Sequence, residues 1–218
     1  MLFDRIDELY RMNVLVIAAT ERELTGIKEI SFARPSLMVQ TAVTGVGLLP
    51  STYAIMQLIA MSKPDLIIQI GIAGSFNPSL VLGTAVTVRK EILADMGVYE
   101  NNGYHDVFEL GLAEKNMPPF EQGAIVNHHD ILMEAVSLPA VSAVSVNEIS
   151  TSTEKINLFT EKYKAAIESI PKLPIACNLF ALTILVIDAS GPGVSPFERA
   201  DIVLNLVFLR PLASQYQS

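Results

Sequence analysis

Apolar residues in this chain gather in short, dense runs, and those runs set the expected elements. NVLVIAAT (13–20) is apolar and β-branched without clean alternation, which predicts a strand buried on both faces. EREL (21–24) follows at its carboxyl end and opens a helix or a loop. MVQTAVTG (38–45) predicts a second strand ending in Gly45-Val46-Gly47, and STYAIMQLIAM (51–61) a helix with Ser51 as its N-cap. LIIQIGIAG (66–74) reads as a central strand breaking into a glycine-bearing turn, and SLVLGTAVTVRKEI (79–92) as one strand or two short ones. GAIVN (123–127) and AVSAVSV (140–146) predict further strands. TEKINLFTEKYKAAIES (153–169) brings Ile156, Leu158, Phe159, Tyr163, Ala166 and Ile167 near one stripe, the pattern of an amphipathic helix ending at Glu168. Residues 94–122 lack periodicity and predict a long loop with some short structure, where an open sheet often carries function.

Strands at repeated intervals with helices between them predict a single α/β domain over residues 12–218, a twisted, mostly parallel or mixed sheet flanked by helices. Residues 1–11 read as an extension, either a mis-set start ahead of Met12 or a short frayed helix. The first twelve residues carry five charged groups and no continuous apolar segment of a secretory kind. The stretches most like membrane spans, ALTILVI (181–187) and IVLNLVFL (202–209), fall far short of the ~18 residues a spanning helix needs, so buried strands or helices account for them better.

Composition narrows the function. A formal net charge of −8 disfavours a nucleic-acid binder, because phosphate backbones are held by basic surfaces. The single cysteine, Cys177, forms no internal disulfide, and His105, His128 and His129 are a poor supply of metal ligands. His128-His129-Asp130 reads as a loop with a helix cap. A cytoplasmic protein without metal or cofactor, and without a nucleic-acid or membrane partner, is the expectation.

Two glycine turns, Gly45-Val46-Gly47 and Gly71-Ile72-Ala73-Gly74, each follow an apolar run. Such turns leave room for backbone N–H groups to approach a ligand at the carboxyl ends of strands, and each also reads as an ordinary tight turn. Neither matches a dinucleotide fingerprint or a P-loop. Glu21 and Glu23 lie just past the first strand, where a carboxylate orients a water or simply caps a helix. Asp95, Glu148 and Glu168 have surface roles open to them as readily as site roles.

VLVIAATERELTGI, TAVTGVGLLPSTYAI, PDLIIQIGIAGSF, VLGTAVTV and KEILADMG, in this order and spacing, resemble the purine nucleoside phosphorylase/hydrolase superfamily. Within it the chain looks most like futalosine hydrolase, a relative of methylthioadenosine/S-adenosylhomocysteine nucleosidase; the finer likeness leans on LADMG and VNEIS. The resemblance runs from about Met12 to Ile170. It implies hydrolysis of an N-glycosidic bond: removal of hypoxanthine from futalosine, leaving dehypoxanthine futalosine, on the alternative route to menaquinone. It gives Glu23 as the water-activating glutamate. Gly47 and the turn residues Ile72, Ala73 and Gly74 fall among its substrate contacts, the turn lining the ribose and its 5′ substituent, with Asn147 and Ile149 at the purine. It also implies self-association, a neighbour closing the 5′ end of the pocket.

The resemblance stops at one point. Where the family carries Met-Glu-Gly-Ala-Ala, with a glutamate gripping the ribose hydroxyls, this chain reads Ile170-Pro171-Lys172-Leu173-Pro174, and proline offers no acceptor. Asp188 in VIDASGPG is a superficial candidate for the family's purine-facing aspartate, and its surroundings do not match. Residues 171–218 hold five of the twelve prolines and only six of the 38 charged residues, a texture unlike a helix-covered sheet. A shifted reading frame, a damaged gene and real divergence each account for such a break. Three readings follow: a nucleosidase of the futalosine-hydrolase type, the same fold acting on methylthioadenosine or S-adenosylhomocysteine, and a catalytically impaired remnant.

Overall fold

The computed structural model describes residues 12–28, 37–100, 103–169 and 180–187. Their elements run β1 (Met12–Ala18), α1 (Glu21–Lys28), β2 (Leu37–Val43), α2 (Leu48–Ser62), β3 (Leu66–Ser75), β4 (Ala85–Leu93), β5 (Gly97–Glu100), β6 (Gly103–Asp106), β7 (Ile125–Val126), α3 (Asp130–Val136), β8 (Ala140–Ser145), α4 (Thr153–Glu161), β9 (Ile167–Ser169) and β10 (Phe180–Ile187).

The apolar runs become strands because each has a core to enter on both faces. On one side of the sheet Val14, Val16, Ala18, Leu66, Ile68, Ile70, Leu182 and Ile184 pack with Leu24 of α1 and Met133 and Val136 of α3. On the other, Leu15, Ile17, Ile67 and Ala181 pack with Ile55 of α2. Fully burying a side chain of this size contributes roughly 1.5–3 kcal/mol, which outweighs the weak alternation of these segments.

β2, β1 and β3 are parallel neighbours. β10 then runs parallel to β3, β4 antiparallel to β10, β8 parallel to β4 and β9 parallel to β8. β9 returns antiparallel to β3, so β3, β10, β4, β8 and β9 close a ring. Ala73, Val86, Val88, Ala143, Ile167, Leu185 and Ile187 come from all five of these strands and fill the inside of the ring. Thus 180–187, within the stretch whose texture departs from the rest, supplies a central strand. The sheet is mixed, as expected.

Three expected elements differ. The glycine-bearing turn expected over Gly71–Gly74 does not form, because β10 pairs with β3 as far as Ala73 and holds the strand extended to Ser75. The predicted helix over 153–169 is helical only as far as Glu161, and Ile167–Ser169 is the strand β9. Lys164 takes a left-handed φ of 54°, which turns the chain out of the helix, and Ile167 is then fully buried in the ring. The stripe was real but continued into a strand whose partners, β3 and β8, lie far away in sequence. The second helix begins at Leu48, three residues before Ser51, with Gly47 as its N-cap. Pro50 sits in the first turn, where its missing N–H costs nothing, while Ser51 is buried and donates from Oγ to the carbonyls of Gly45 and Gly47 at 3.0 and 2.7 Å. Among the described residues of 94–122 the regular elements are β5 and β6, paired antiparallel, and α3 starts directly after His129, its N-cap. No helix among the described residues is long and apolar enough to cross a membrane.

Candidate active site

The register of β3 locates the site. β1 pairs with β3 only as far as Gln69, and β9 joins β3 only at Gly74. Between them the strand has β10 as its recorded strand partner, leaving a split of four residues, about 13 Å at the rise of a strand. That stretch is Ile70-Gly71-Ile72-Ala73, still extended and paired with β10. Crevices of this kind, at the carboxyl ends of strands where neighbours diverge, are where open sheets hold ligands.

Glu23 reaches into the split. The sequence Thr20-Glu21-Arg22-Glu23 folds as a reciprocal cap of α1: Glu23 N donates to Thr20 Oγ1 at 3.3 Å, and Thr20 N donates back to Glu23 Oε2 at 2.9 Å. The Thr20 hydroxyl donates to the same oxygen at 3.1 Å. With Oε2 held by the cap, Oε1 accepts the backbone N–H of Ile72 at 3.3 Å, across the split. Glu23 is only 6% exposed. The cap therefore aims the second oxygen of Glu23 at the Ile72 N–H of β3.

Glu168 stands at the far lip of the split. It is the register partner of Gly74, 7% exposed, and its Oε1 accepts the N–H of Ser150 at 2.7 Å. Expected as the end of an amphipathic helix, it is instead a buried strand residue paired with β3 at Gly74. Helical geometry therefore says nothing about what it reaches. Nearby, Ser145 donates from Oγ to Glu91 and lies 3.3 Å from Ser169 Oγ. These buried groups tie the ends of β4, β8 and β9 together.

A third group forms the rim. Asn147 donates from its backbone N and its Nδ2 to Asp95 Oδ2 at 2.6 and 3.0 Å, and its Oδ1 lies 3.5 Å from Leu48 N. LADMG and VNEIS, far apart in the chain, are thus hydrogen-bonded to each other. Gly47 (φ 96°) is where a side chain would be strained, and a Cβ there would lie 3.9 Å from Asn147 Oδ1. Of the expected site residues, Glu23 and Ile72 meet directly, as do the Gly47 turn and Asn147. Ala73 is buried in the ring, Gly74 is exposed beside Glu168, and Ile149 projects with 60% exposure. Pro171, Asp188 and Cys177 lie outside the described residues. Thr20 was not anticipated, although the capping box signals it; Ser150 ends the Asn147–Ser150 segment that the resemblance puts at the purine.

Beside the rim, the β5–β6 hairpin is fastened to α4 by Lys162, which pairs with Glu109 at 2.5 Å and Asp106 at 3.3 Å and lies over the rings of Tyr104 and Tyr163. Burial favours raising the Asp106 carboxyl, but the N–H of Glu109 and the Lys162 ammonium outweigh it and hold it below its usual range. The hydrogen bond from Lys162 likewise lowers Glu109. Burial, with Asp95 and Asp106 close by, pushes the Tyr104 phenol well up, and burial beside Asp106 does the same to Tyr163.

No family model matches the sequence, and no curated protein matches it closely enough to count as a relative. Solved structures do match. A futalosine hydrolase mutant of Helicobacter pylori superposes with a TM-score of 0.71 at 14% identity, over 90% of this chain and 98% of that one. The 5′-methylthioadenosine/S-adenosylhomocysteine nucleosidase of Campylobacter jejuni gives 0.69 at 18% identity, over 90% and 96%. The corresponding Helicobacter pylori nucleosidase, with butyl-thio-DADMe-Immucillin-A, gives 0.68 at 13% identity, over 91% and 94%. The chain has the fold of these nucleosidases. The match extends beyond the three quarters of the chain that carry the sequence resemblance. Among the described residues no group of three or more His, Cys, Asp or Glu is placed to hold a metal ion.

Proposed function

We propose that this chain is a purine nucleosidase that hydrolyses the N-glycosidic bond of futalosine, releasing hypoxanthine. The observation that carries the reading is the buried Glu23 carboxylate, held by its own helix cap and turned onto the Ile72 N–H in the split of β3. Two oxygens fixed by backbone donors keep such a carboxylate in one orientation, as a general base requires. In the reaction the C1′–N9 bond breaks with oxocarbenium character on the sugar. Water adds to C1′ and gives up one proton to Glu23, the purine leaves with a proton taken up from solvent, and Glu23 returns its proton to solvent, which balances the step and resets the site. Fixed dipoles aimed at developing charge supply much of the acceleration in such a site.

The Gly71–Gly74 stretch of β3 is then the sugar side of the pocket and Asn147 to Ser150 the base side. Futalosine rather than methylthioadenosine or S-adenosylhomocysteine is favoured by the Asp95–Asn147 pair, which brings together the two motifs on which the finer resemblance leans. Self-association belongs to the same proposal. α2 carries no charged residue, and Val46, Leu49, Tyr53 and Met56 line an exposed apolar stripe from its N-terminal turn.

Incubation of the purified full chain with futalosine and, separately, with methylthioadenosine, followed by chromatography of the bases, tests the reading. Hypoxanthine released by wild type and not by Glu23→Gln is the expected result. Adenine release moves the assignment to the sister activity, and no release from cooperatively folded protein leaves the impaired remnant.

A further inference from the structure

A capping box needs two hydrogen bonds, one from each residue's backbone N–H to the other's side chain. Thr20 and Glu23 make both, at 2.9 and 3.3 Å, and then a third that the helix does not require. The Thr20 hydroxyl, which accepts from Glu23 N, gives its own hydrogen to Glu23 Oε2 at 3.1 Å. Thr20 therefore engages Oε2 twice, and a carboxylate oxygen has about two acceptor positions. Proton uptake falls to Oε1, the oxygen that meets Ile72 N across the split at 3.3 Å. A glutamate has several side-chain torsions, and burial alone does not choose among them. The two shorter contacts to the carboxylate both come from Thr20, are local to the first turn of α1, and need nothing from across the split. Ala19 and Leu24, on either side of the box, are buried and anchor that turn.

We propose that Thr20 is a positioning residue for the hydrolysis: its hydroxyl fixes the plane of the Glu23 carboxylate, keeps Oε2 out of the proton transfer and presents Oε1 to the attacking water. The inference rests on the nucleosidase reading above and deepens it. One hydroxyl serves the helix and the chemistry through different atoms, its oxygen capping the N–H of Glu23 and its hydrogen orienting the carboxylate. Valine matches threonine in shape and offers neither; serine offers both. Misplacing a catalytic group by about 1 Å can cost a hundredfold in rate. Loss of the hydroxyl is therefore felt in the chemical step and not in affinity for the nucleoside.

Single-turnover release of base by the full chain, with protein in excess over whichever of futalosine and methylthioadenosine the wild type cleaves, decides it. The cycle comprises wild type, Thr20→Val, Glu23→Gln and the double variant, each assayed below the onset of its own melting curve. Thr20→Val is expected to slow release by about ten- to a hundredfold at an unchanged half-saturating concentration, and Thr20→Ser to restore the rate. In the Glu23→Gln background, where no general base remains to be oriented, Thr20→Val should change the residual rate little. Equal slowing in both backgrounds, weaker half-saturation without slowing, no effect of Thr20→Val, or failure of serine to restore the rate overturns the assignment and leaves Thr20 a helix cap. If folded wild type releases base from neither nucleoside, the nucleosidase reading itself falls and takes this one with it.

Discussion

Two polar clusters lie within this fold, and they are built in opposite ways. In the split of β3, Glu23 and Glu168 are more than nine-tenths buried and are held by backbone N–H groups of Thr20, Ile72 and Ser150. At the hairpin, Asp106 and Glu109 are more open and are held by a flexible cation, Lys162, stacked among tyrosines. Backbone donors cannot move with the side chain or be screened by salt, so they fix a carboxylate's direction; a lysine neutralises charge but leaves geometry loose. The first cluster is suited to chemistry and the second to fastening a hairpin. If so, substitutions in the split should change activity far more than stability, and substitutions at the hairpin the reverse.

The largest separation is expected at Glu23. Glu23→Gln keeps the capping box, for which glutamine serves as well as glutamate, so its melting temperature should stay near that of wild type. Base release should fall by about 10²–10⁴-fold, the usual worth of a general base. Glu23→Ala should lose the same activity and also about 1 kcal/mol of stability, as a lost cap does, in urea unfolding. Were the Gln variant as destabilised as the Ala variant, the carboxylate would be structural and the contrast would collapse.

Gly97 probes the other side. A Cβ there would collide with His105 O and lie 2.6 Å from Tyr104 Oη, inside the hairpin. Gly97→Ala should therefore cost about 1–3 kcal/mol, as overpacking does, and expose 97–106 to limited proteolysis. Retained base release in this variant sharpens the contrast. Loss of release in proportion to hairpin cleavage would show that the hairpin belongs to the site.

Smaller is the effect of Lys162→Met, about 1 kcal/mol or less for a partly exposed ion pair, with base release unchanged. The smallest is its pH signature. Asp106 and Glu109 are lowered from ordinary values of 3.8 and 4.5, so their contribution to stability is present above those values and is lost as pH falls below them. Thermal melts between pH 3 and 6 should show a steeper acid decline for wild type than for Lys162→Met. Parallel curves would remove the cation from the account.

Much of this architecture was legible in the chain. Runs such as NVLVIAAT and LIIQIGIAG announce strands buried on both faces because no other element absorbs so many β-branched residues without a polar side. Thr20 and Glu23, three apart before Leu24, spell the helix cap. IES at 167–169 was misread because a helical stripe and a short strand look alike once Lys164 has turned the chain. What distinguishes them is pairing with Gly74 and Val144, which no local window contains. For the same reason LADMG and VNEIS could be recognised separately, but their bond through Asp95 and Asn147 could not.

The sequence by itself determined which segments are buried and how the first helix begins, because hydrophobic burial and capping are local and act within a few residues. Only the tertiary structure decided that β1 leaves β3 at Gln69 and β9 arrives at Gly74, since strand register is settled by packing across the whole ring. That interval leaves the split along β3, and it sets two glutamates 145 positions apart in the chain, Glu23 and Glu168, on its opposite lips.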